Sequence, residues 1–547
     1  MKVLLVGCNA KYVHSNLAIR SLYAYTGSYD GALGLYECTI NQNKDEILKD
    51  IYRCAPQILC VSCYIWNLSF MEELLADLNT LLPDTVIWAG GPEVTYDAEA
   101  FLQRNREITG VMVGEGEEIF ACLMQHYLRQ TKPLEEIRGI TYRTAQGIRN
   151  NPPMPPISLD DIPFVYQPSD VRAHKMLYYE VSRGCPFSCS YCLSSVEAGV
   201  RFRDLALVKK ELSFFLEQKA EQIKFVDRTF NCNPKYAASV WEFICAHDNC
   251  VTNFHFEVAA DLLTEREIAI LQRMRPGLVQ LEIGVQSTNP QTIEAIRRKM
   301  DFAQVSKVVT ALAAAHNIHQ HLDLIAGLPY EGYESFQRSF NEVYALQPSQ
   351  LQMGFLKVLK GSAMHSQAQQ FRCHYKHREP YEVLATRWLT YDEILRLKQV
   401  ESMLEIYYNS GQFSASLRVL LPDFASPFAF YEALGEFYEA RGYASISHSR
   451  LRRYEILLEF AGDRQLPQEP LTEAMTIDLY ARERLKSRPA WMQDNSRFWP
   501  QVREYLSRNG YPKATHVEEM SQGQAVLFDY RTRDPLTHNV YIEEISL

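Results

Sequence analysis

Residues 179–192 read Tyr179-Glu-Val-Ser-Arg-Gly184 and then Cys185-Pro-Phe-Ser-Cys189-Ser-Tyr-Cys192. Three cysteines fall within eight residues, at intervals of four and three. The apolar run Leu177 to Val181 predicts a strand, and Arg183-Gly184 predicts the turn that carries it into a loop. Three thiolates on one loop can hold three irons of a [4Fe–4S] cluster and leave the fourth iron without a protein ligand. An open iron suits ligand binding and electron delivery rather than electron storage. A zinc site or three buried cysteines is the competing reading. Zinc sites usually take four nitrogen or sulfur ligands, with a CxxC pair in each half, and no second pair stands nearby.

The CxxxCxxC spacing, with an aromatic before the last cysteine, resembles the radical S-adenosylmethionine (SAM) superfamily. The resemblance implies that Cys185, Cys189 and Cys192 bind the cluster and form the catalytic centre, with Tyr191 near the adenine. It also implies that SAM chelates the open iron through its amino and carboxylate groups. An electron from the cluster then cleaves SAM to methionine and a 5′-deoxyadenosyl radical.

At 547 residues the chain exceeds one ordinary core, so several domains are expected. Hydrophobic residues make up 47%, which suits packed globular domains. A net charge of −10 is small for this length and argues against broad nucleic-acid or anionic-membrane binding. No apolar run is long enough for a transmembrane helix. The start, Met1-Lys-Val-Leu-Leu-Val-Gly, turns polar too soon for a signal peptide and reads as a first strand. Thirteen cysteines without a secretion signal predict a reducing, cytoplasmic setting with most thiols free.

Residues 1–150 alternate strand and helix patterns. Strands are expected at Lys2–Val6, Gly34–Thr39, Ile58–Ser62, Val86–Trp88 and Gly110–Val113. Helices are expected at Asn16–Tyr25, Asp45–Cys54, Ser69–Leu82 and Ala98–Asn105. This rhythm predicts an α/β, Rossmann-like doubly wound sheet that binds ligands at the carboxyl ends of its strands. Two glycine turns fall at such ends: Ala89-Gly90-Gly91-Pro92-Glu93 and Gly114-Glu115-Gly116-Glu117. Together they resemble the N-terminal domain of cobalamin-dependent radical SAM proteins. The resemblance implies that these eight residues, Gly90 to Glu93 and Gly114 to Glu117, bind cobalamin. The DxHxxG motif is missing; around His14 the chain reads Tyr12-Val-His-Ser-Asn-Leu17. His14 therefore reads as a packing or hydrogen-bonding histidine, and cobalamin is expected base-off, without a histidine ligand.

Asn150-Asn-Pro-Pro-Met-Pro-Pro156 opens a stiff linker over 151–174. A (β/α)6 partial barrel is expected over 175–375, with strands at Leu177–Val181, Gln222–Val226, Asn253–Val258, Leu278–Ile283, His321–Ile325 and Gln352–Leu356. Catalytic residues of such barrels gather at the carboxyl strand ends. Resemblance to the coproporphyrinogen-dehydrogenase branch of the superfamily implies ribose contacts from Glu257 and Gln286 and a nucleoside-site acid at Asp323. It implies that Arg298, in preference to Arg297, pairs with the SAM carboxylate. The backbone near Asp227 is expected to receive the ammonium, although relatives carry an acidic pair where this chain has Asp227-Arg228.

Residues 376–547 predict a mainly helical domain that covers the barrel mouth and ends in a β-hairpin. The function expected is methyl transfer to an unactivated carbon of a small molecule, with electrons from a low-potential donor such as flavodoxin or ferredoxin. A cobalamin-dependent cyclase or rearrangement enzyme is the alternative on the same architecture. A tRNA methylthiotransferase would need a second cysteine set. Cys8, Cys60 and Cys63 could contribute, but the turn that should supply a further cysteine is Ala89-Gly-Gly-Pro. A non-catalytic SAM or cobalamin sensor would have no use for the complete cluster loop.

Overall fold

The computed structural model describes residues 2–29, 31–196, 199–511, 514–520 and 524–546. Seven strands form the first sheet: β1 (Val3–Asn9), β2 (Leu33–Thr39), β3 (Ile58–Ser62), β4 (Val86–Gly90), β5 (Gly110–Met112), β6 (Ile140–Thr144) and β7 (Gly147–Asn150). Their order is β2-β1-β3-β4-β5-β6-β7. β1 and β3 are buried throughout, and successive side chains enter opposite faces as a pleat requires. Val3 and Leu5 enter one apolar cluster with the helices Leu17–Tyr25 and Gly116–Met124. Leu4, Val6 and Cys8 enter another with the helices Lys44–Cys54, Leu68–Leu81 and Ala98–Arg104. Both faces are thus covered, the condition under which parallel strands are stable. All five expected strands are present and parallel. The antiparallel pair β6–β7 adds an edge that the sequence reading missed, although Ile140-Thr-Tyr-Arg-Thr144 is rich in β-formers.

The second sheet is built from β8 (Met176–Tyr179), β11 (Gln222–Phe225), β12 (Asn253–Val258), β13 (Val279–Gln286), β14 (His319–Ala326) and β15 (Gln350–Phe355). These run parallel in the order β15-β14-β13-β12-β11-β8, open between its two edge strands. Between β8 and β11 lies a short antiparallel pair, β9 (Ser182–Cys185) and β10 (Gly199–Phe202). The turn expected at Arg183-Gly184 is therefore a strand. Gly184 sits opposite Val200 at φ +102°, and a Cβ there would run into the Gly199 carbonyl.

Alternation gives this sheet two unlike faces. Leu177, Tyr179, Ile223, Phe225, Phe254, Phe256, Leu281 and Leu322 pack outward under the crossover helices. The intervening positions are Tyr178, Lys224, His255, Glu257, Glu282, His321 and Asp323, where a filled barrel would carry branched apolar residues.

The helices Tyr391–Leu404, Ser414–Leu420, Pro427–Ala440, Arg450–Asp463, Gln468–Arg482 and Trp499–Arg508 follow, and then an antiparallel three-stranded sheet rather than a two-stranded hairpin. The extra strand, Thr515–Glu519, pairs with Ala525–Arg533. The helices lie against the open edge: the Asn409 side chain brackets Leu351 of β15 through two hydrogen bonds, of 3.0 and 2.9 Å. The Tyr344 and Tyr431 hydroxyls meet at 3.0 Å.

Two devices fix the first sheet to the second. Residues 13–15 run alongside the start of β8, where Met176 N donates to the Val13 carbonyl at 2.8 Å. The Arg183 guanidinium reaches Glu115 at 3.2 Å and Glu117 at 2.9 Å on the first domain, and Glu180 at 2.8 Å on its own. Arg201 of β10 also pairs with Glu115. Burial alone would push the Glu117 carboxyl up, but the Arg183 fork holds it below its ordinary range. Removing one member of a buried ion network leaves the others uncompensated and costs about 3–5 kcal/mol. Arg183→Met is therefore expected to lower the urea midpoint sharply. Arg183→Lys, which keeps the charge but not the fork, is expected to fall between. Equal stability of Arg183→Met and the parent chain would show that the network does not hold the domains.

Candidate functional site

Cys185 ends β9 half-buried, Cys189 is buried, and Cys192 is half-buried. The loop is pinned by its own polar groups. The Ser195 hydroxyl stands 2.8 Å from the Cys189 carbonyl and 2.6 Å from that of Cys192. Ser190 N donates to Ile296 O at 2.9 Å, and Met364 N to Ser190 O at 2.7 Å. Burial raises the Cys189 thiol, and the Arg298 guanidinium opposes that rise, its Nη1 lying 3.9 Å from the sulfur. Thr229 Oγ1 stands 3.8 Å from Cys185 Sγ. Among the described residues no three Cys, His, Asp or Glu side chains converge on a single-ion site. A cubane makes a different demand, since each cysteine binds a separate iron and the thiols stand apart.

Gln286 ends β13, Glu257 stands next to the end of β12 and Asp323 lies within β14, while Arg298 follows the helix Pro290–Ala295 and reaches this loop. Arg298 Nη1 donates to the Tyr191 hydroxyl at 3.3 Å, and Nη2 donates to the Gly284 carbonyl. Arg297 is exposed, so only Arg298 faces the loop. Gln286 is held at φ +71° with its Oε1 buried and unpartnered. A side chain at Gly284 would collide with the Gln286 amide. Burial raises Glu257 to about 7, against the pull of Arg228 at 3.8 Å. Asp323 Oδ1 lies 3.1 Å from His321 Nε2 but is not aligned for a hydrogen bond. An unpartnered buried acceptor carries a desolvation cost that a polar ligand would relieve.

Asp227 is placed differently. Its carboxylate is buried and raised to about 7, and it accepts from Val181 N at 3.3 Å and from the Ser182 hydroxyl. It fastens the step from β8 to β9, while its neighbour Arg228 faces the open space. Sequence reasoning also missed a polar cluster one step back along the strands. Lys224 Nζ donates to Glu282 at 2.9 Å, and His255 Nε2 stands 3.0 Å from the same carboxylate. The signal was available as polar residues at every second position of three consecutive strands.

Between the two sheets lies a cavity of about 1050 Å³. Gly90, Gly91, Pro92 and Gly114 to Glu117 form its wall on one side; Tyr178, Lys224, Arg228 and Glu257 line it on the other. Gly91 sits at φ +111°, where a Cβ would stand 2.5 Å from the Cys63 carbonyl. Gly114, at φ +94°, has nothing within 4 Å of a Cβ position, so the backbone there is open to a ligand. Glu93 is the exception within its turn. It is buried away from the cavity and accepts from the Tyr381 hydroxyl at 2.9 Å. Tyr64 and Trp66 stack at 4.4 Å beside the cavity. Among the described residues the lining ends at Glu257, so the C-terminal helices brace the sheet edge without contributing to this wall.

A model described as the B12 binding domain matches residues 3–123, and the radical SAM superfamily model matches residues 179–343. Residues 369–540 match a family described as a protein of unknown function (DUF4080). The cobalamin-dependent radical SAM methyltransferase TokK of Streptomyces tokunonensis is 25% identical over 299 residues, covering 52% of this chain. That match spans 44% of TokK, less than half of its length. The anaerobic magnesium-protoporphyrin IX monomethyl ester cyclase of Synechocystis sp. is 24% identical over 388 residues, 66% of this chain and 75% of the cyclase. In fold, the cobalamin-dependent S-adenosylmethionine radical enzyme OxsB with aqua-cobalamin bound superposes with a TM-score of 0.62 at 14% identity. The superposition covers 93% of this chain and 84% of that one. The chain thus joins a B12-binding domain to a radical SAM domain, and its relatives are cobalamin-dependent radical SAM methyltransferases and anaerobic cyclases.

Proposed function

We propose that this protein is a cobalamin-dependent radical SAM enzyme that transfers a methyl group to an unactivated carbon of a small molecule. The observation that carries this reading is one cavity walled on one side by both glycine turns and on the other by Glu180, Arg183, Val226, Arg228 and Glu257; Arg183 and Val196 flank the cysteine loop, whose thiols lie outside the lining. When bound, the cluster with SAM supplies a carbon radical, and cobalamin supplies a transferable methyl group. The residues present fit these groups. Cys185, Cys189 and Cys192 offer three thiols on a pinned loop. Arg298 offers a planar fork to a carboxylate at that loop. Gln286 Oε1 and Asp323 Oδ1 are orphaned acceptors suited to ribose hydroxyls. Glu257, raised to about 7, can present a proton to a hydroxyl or accept one. The glycine turns let a large planar ligand lie against backbone.

Base-off binding of cobalamin is part of this reading. It rests on the missing DxHxxG motif; His14 lines the cavity with its Nδ1 2.7 Å from the Tyr178 hydroxyl. A low-potential donor such as flavodoxin or ferredoxin would supply electrons in the cytoplasm. Cyclisation is the second reading, favoured by the longer span shared with the Synechocystis cyclase.

Anaerobic reconstitution with iron, sulfide and hydroxocobalamin tests the assignment. The parent chain is expected to bind one cluster and to release 5′-deoxyadenosine and methionine from SAM under dithionite. The triple Cys→Ala variant at 185, 189 and 192 is expected to lose nearly all iron. About four irons retained per triple-variant chain would remove the cluster from this loop. With a small-molecule extract of the host as substrate source, S-adenosylhomocysteine and a product heavier by one methylene should appear together. Deoxyadenosine during turnover without S-adenosylhomocysteine would favour the cyclase. The Co(II) form is expected to lack nitrogen superhyperfine splitting in EPR, unchanged in His14→Ala. A nitrogen-split signal lost in that variant would establish a histidine ligand.

A further inference from the structure

The first glycine turn runs into a helix of four residues, Pro92–Thr95, that has no side-chain cap. Gly91, Pro92, Thr95 and Tyr96 face the cavity. Behind them the turn is met by one distant stretch of chain, residues 357–382. Glu93 is buried and accepts from the buried Tyr381 hydroxyl at 2.9 Å. Asp97 pairs with Lys360 at 2.9 Å, besides Arg104 of its own helix at 3.4 Å. Gly361 packs on the Tyr96 ring, where a Cβ would stand 2.3 Å from Cγ. Glu379 accepts from Ser69 N at 2.5 Å and from the Ser69 hydroxyl, at the start of the helix Leu68–Leu81.

This stretch is itself fixed to the barrel. Directly after β15, Val358 N donates to the Tyr381 carbonyl at 3.0 Å, and Val383 N donates to the Leu356 carbonyl at 2.8 Å. Tyr381 sits at φ +53°, a region that a residue with a Cβ occupies only at a cost. Lys360 lies over its ring at 5.3 Å. Burial raises the Glu93 carboxyl, and Tyr381 and Lys360 oppose the rise. Glu379 and Tyr381 both fall in the region that matches the family of unknown function.

We propose that Tyr381 is a positioning residue for cobalamin: by holding Glu93 it keeps the first glycine turn where the cofactor is received. This rests on the cobalamin part of the reading above. It gives the C-terminal region a task at the cofactor site, which it grips from behind without lining the cavity. A helix of four residues does not hold itself in place. Without the Tyr381 hydroxyl, Glu93 is a buried carboxyl with no hydrogen-bond donor from the C-terminal region, and the turn shifts to bring it to water. Affinity then falls by the fraction of chains that still present the turn.

The test titrates the full chain, without cluster or SAM, with hydroxocobalamin and reads Kd from absorbance. Tyr381→Phe is expected to raise Kd about tenfold, the size of one lost buried hydrogen bond. Glu93→Leu removes the same contact, so the double variant is expected to lose less than the two single losses combined. Glu93→Gln keeps an acceptor for the hydroxyl and is expected to restore most of the affinity that Glu93→Leu loses. Tyr431→Phe breaks a hydroxyl pair elsewhere on the same region, that with Tyr344, and is expected to leave Kd unchanged. Hydrogen exchange gives a readout that needs no cofactor: a peptide spanning 90–97 should exchange faster in Tyr381→Phe than in the parent chain. An unchanged Kd in Tyr381→Phe, an equal loss in Tyr431→Phe, or unchanged exchange across 90–97 would overturn the inference. No binding of hydroxocobalamin by the parent chain would overturn the cobalamin reading and the positioning role with it, while exchange across 90–97 would still report whether Tyr381 holds the turn.

Discussion

The geometry of the site depends on one guanidinium. Arg183 stands two residues before the first cysteine of the loop and is gripped by Glu115 and Glu117 from the opposite domain and by Glu180 beside it. A planar fork can satisfy several carboxylates at fixed angles, which an ammonium cannot. The pairing therefore fixes the second glycine turn relative to the cysteine loop, not merely near it. The cavity between the domains inherits its shape from that constraint. Such ion networks are costly to desolvate, and their value lies in specificity of arrangement more than in net stability.

The second constraint is the two-residue period of a strand. Phe254 and Phe256 close the outer core while His255 and Glu257 between them face inward. The same alternation in β11, β13 and β14 yields Lys224, Glu282, His321 and Asp323 on the inner face. A sheet with this pattern obtains its stability from one side and its chemistry from the other. The buried acceptors Gln286 Oε1 and Asp323 Oδ1 lack an aligned hydrogen-bond donor.

Much of this was legible in the chain itself. Strands β1, β3 and β4 read as near-continuous apolar runs, and β1 to β5 were placed within a few residues. The cysteine loop, the two glycine turns and Arg298 over Arg297 were read from spacing and resemblance. What failed was local geometry that depends on distant partners. Gly184 reads as a turn in isolation, yet pairing with Gly199–Phe202 makes it a strand. The order of residues likewise does not show that Ser182 and Tyr381, distant in sequence, hydrogen-bond the carboxylates of Asp227 and Glu93. The Arg183 network could not be foreseen, because nothing in the order of residues says that positions 115, 117 and 180 meet at one guanidinium.

The central claim is that cobalamin and the cluster face one another across a single cavity. Electron paramagnetic relaxation of the Co(II) form measures this directly, with the cluster either reduced or oxidised in the same sample. If the two centres share the cavity, the Co(II) signal should relax faster when the cluster is paramagnetic. That enhancement should vanish in protein lacking the three loop cysteines. A Co(II) signal whose relaxation is the same in both cluster states would contradict the account.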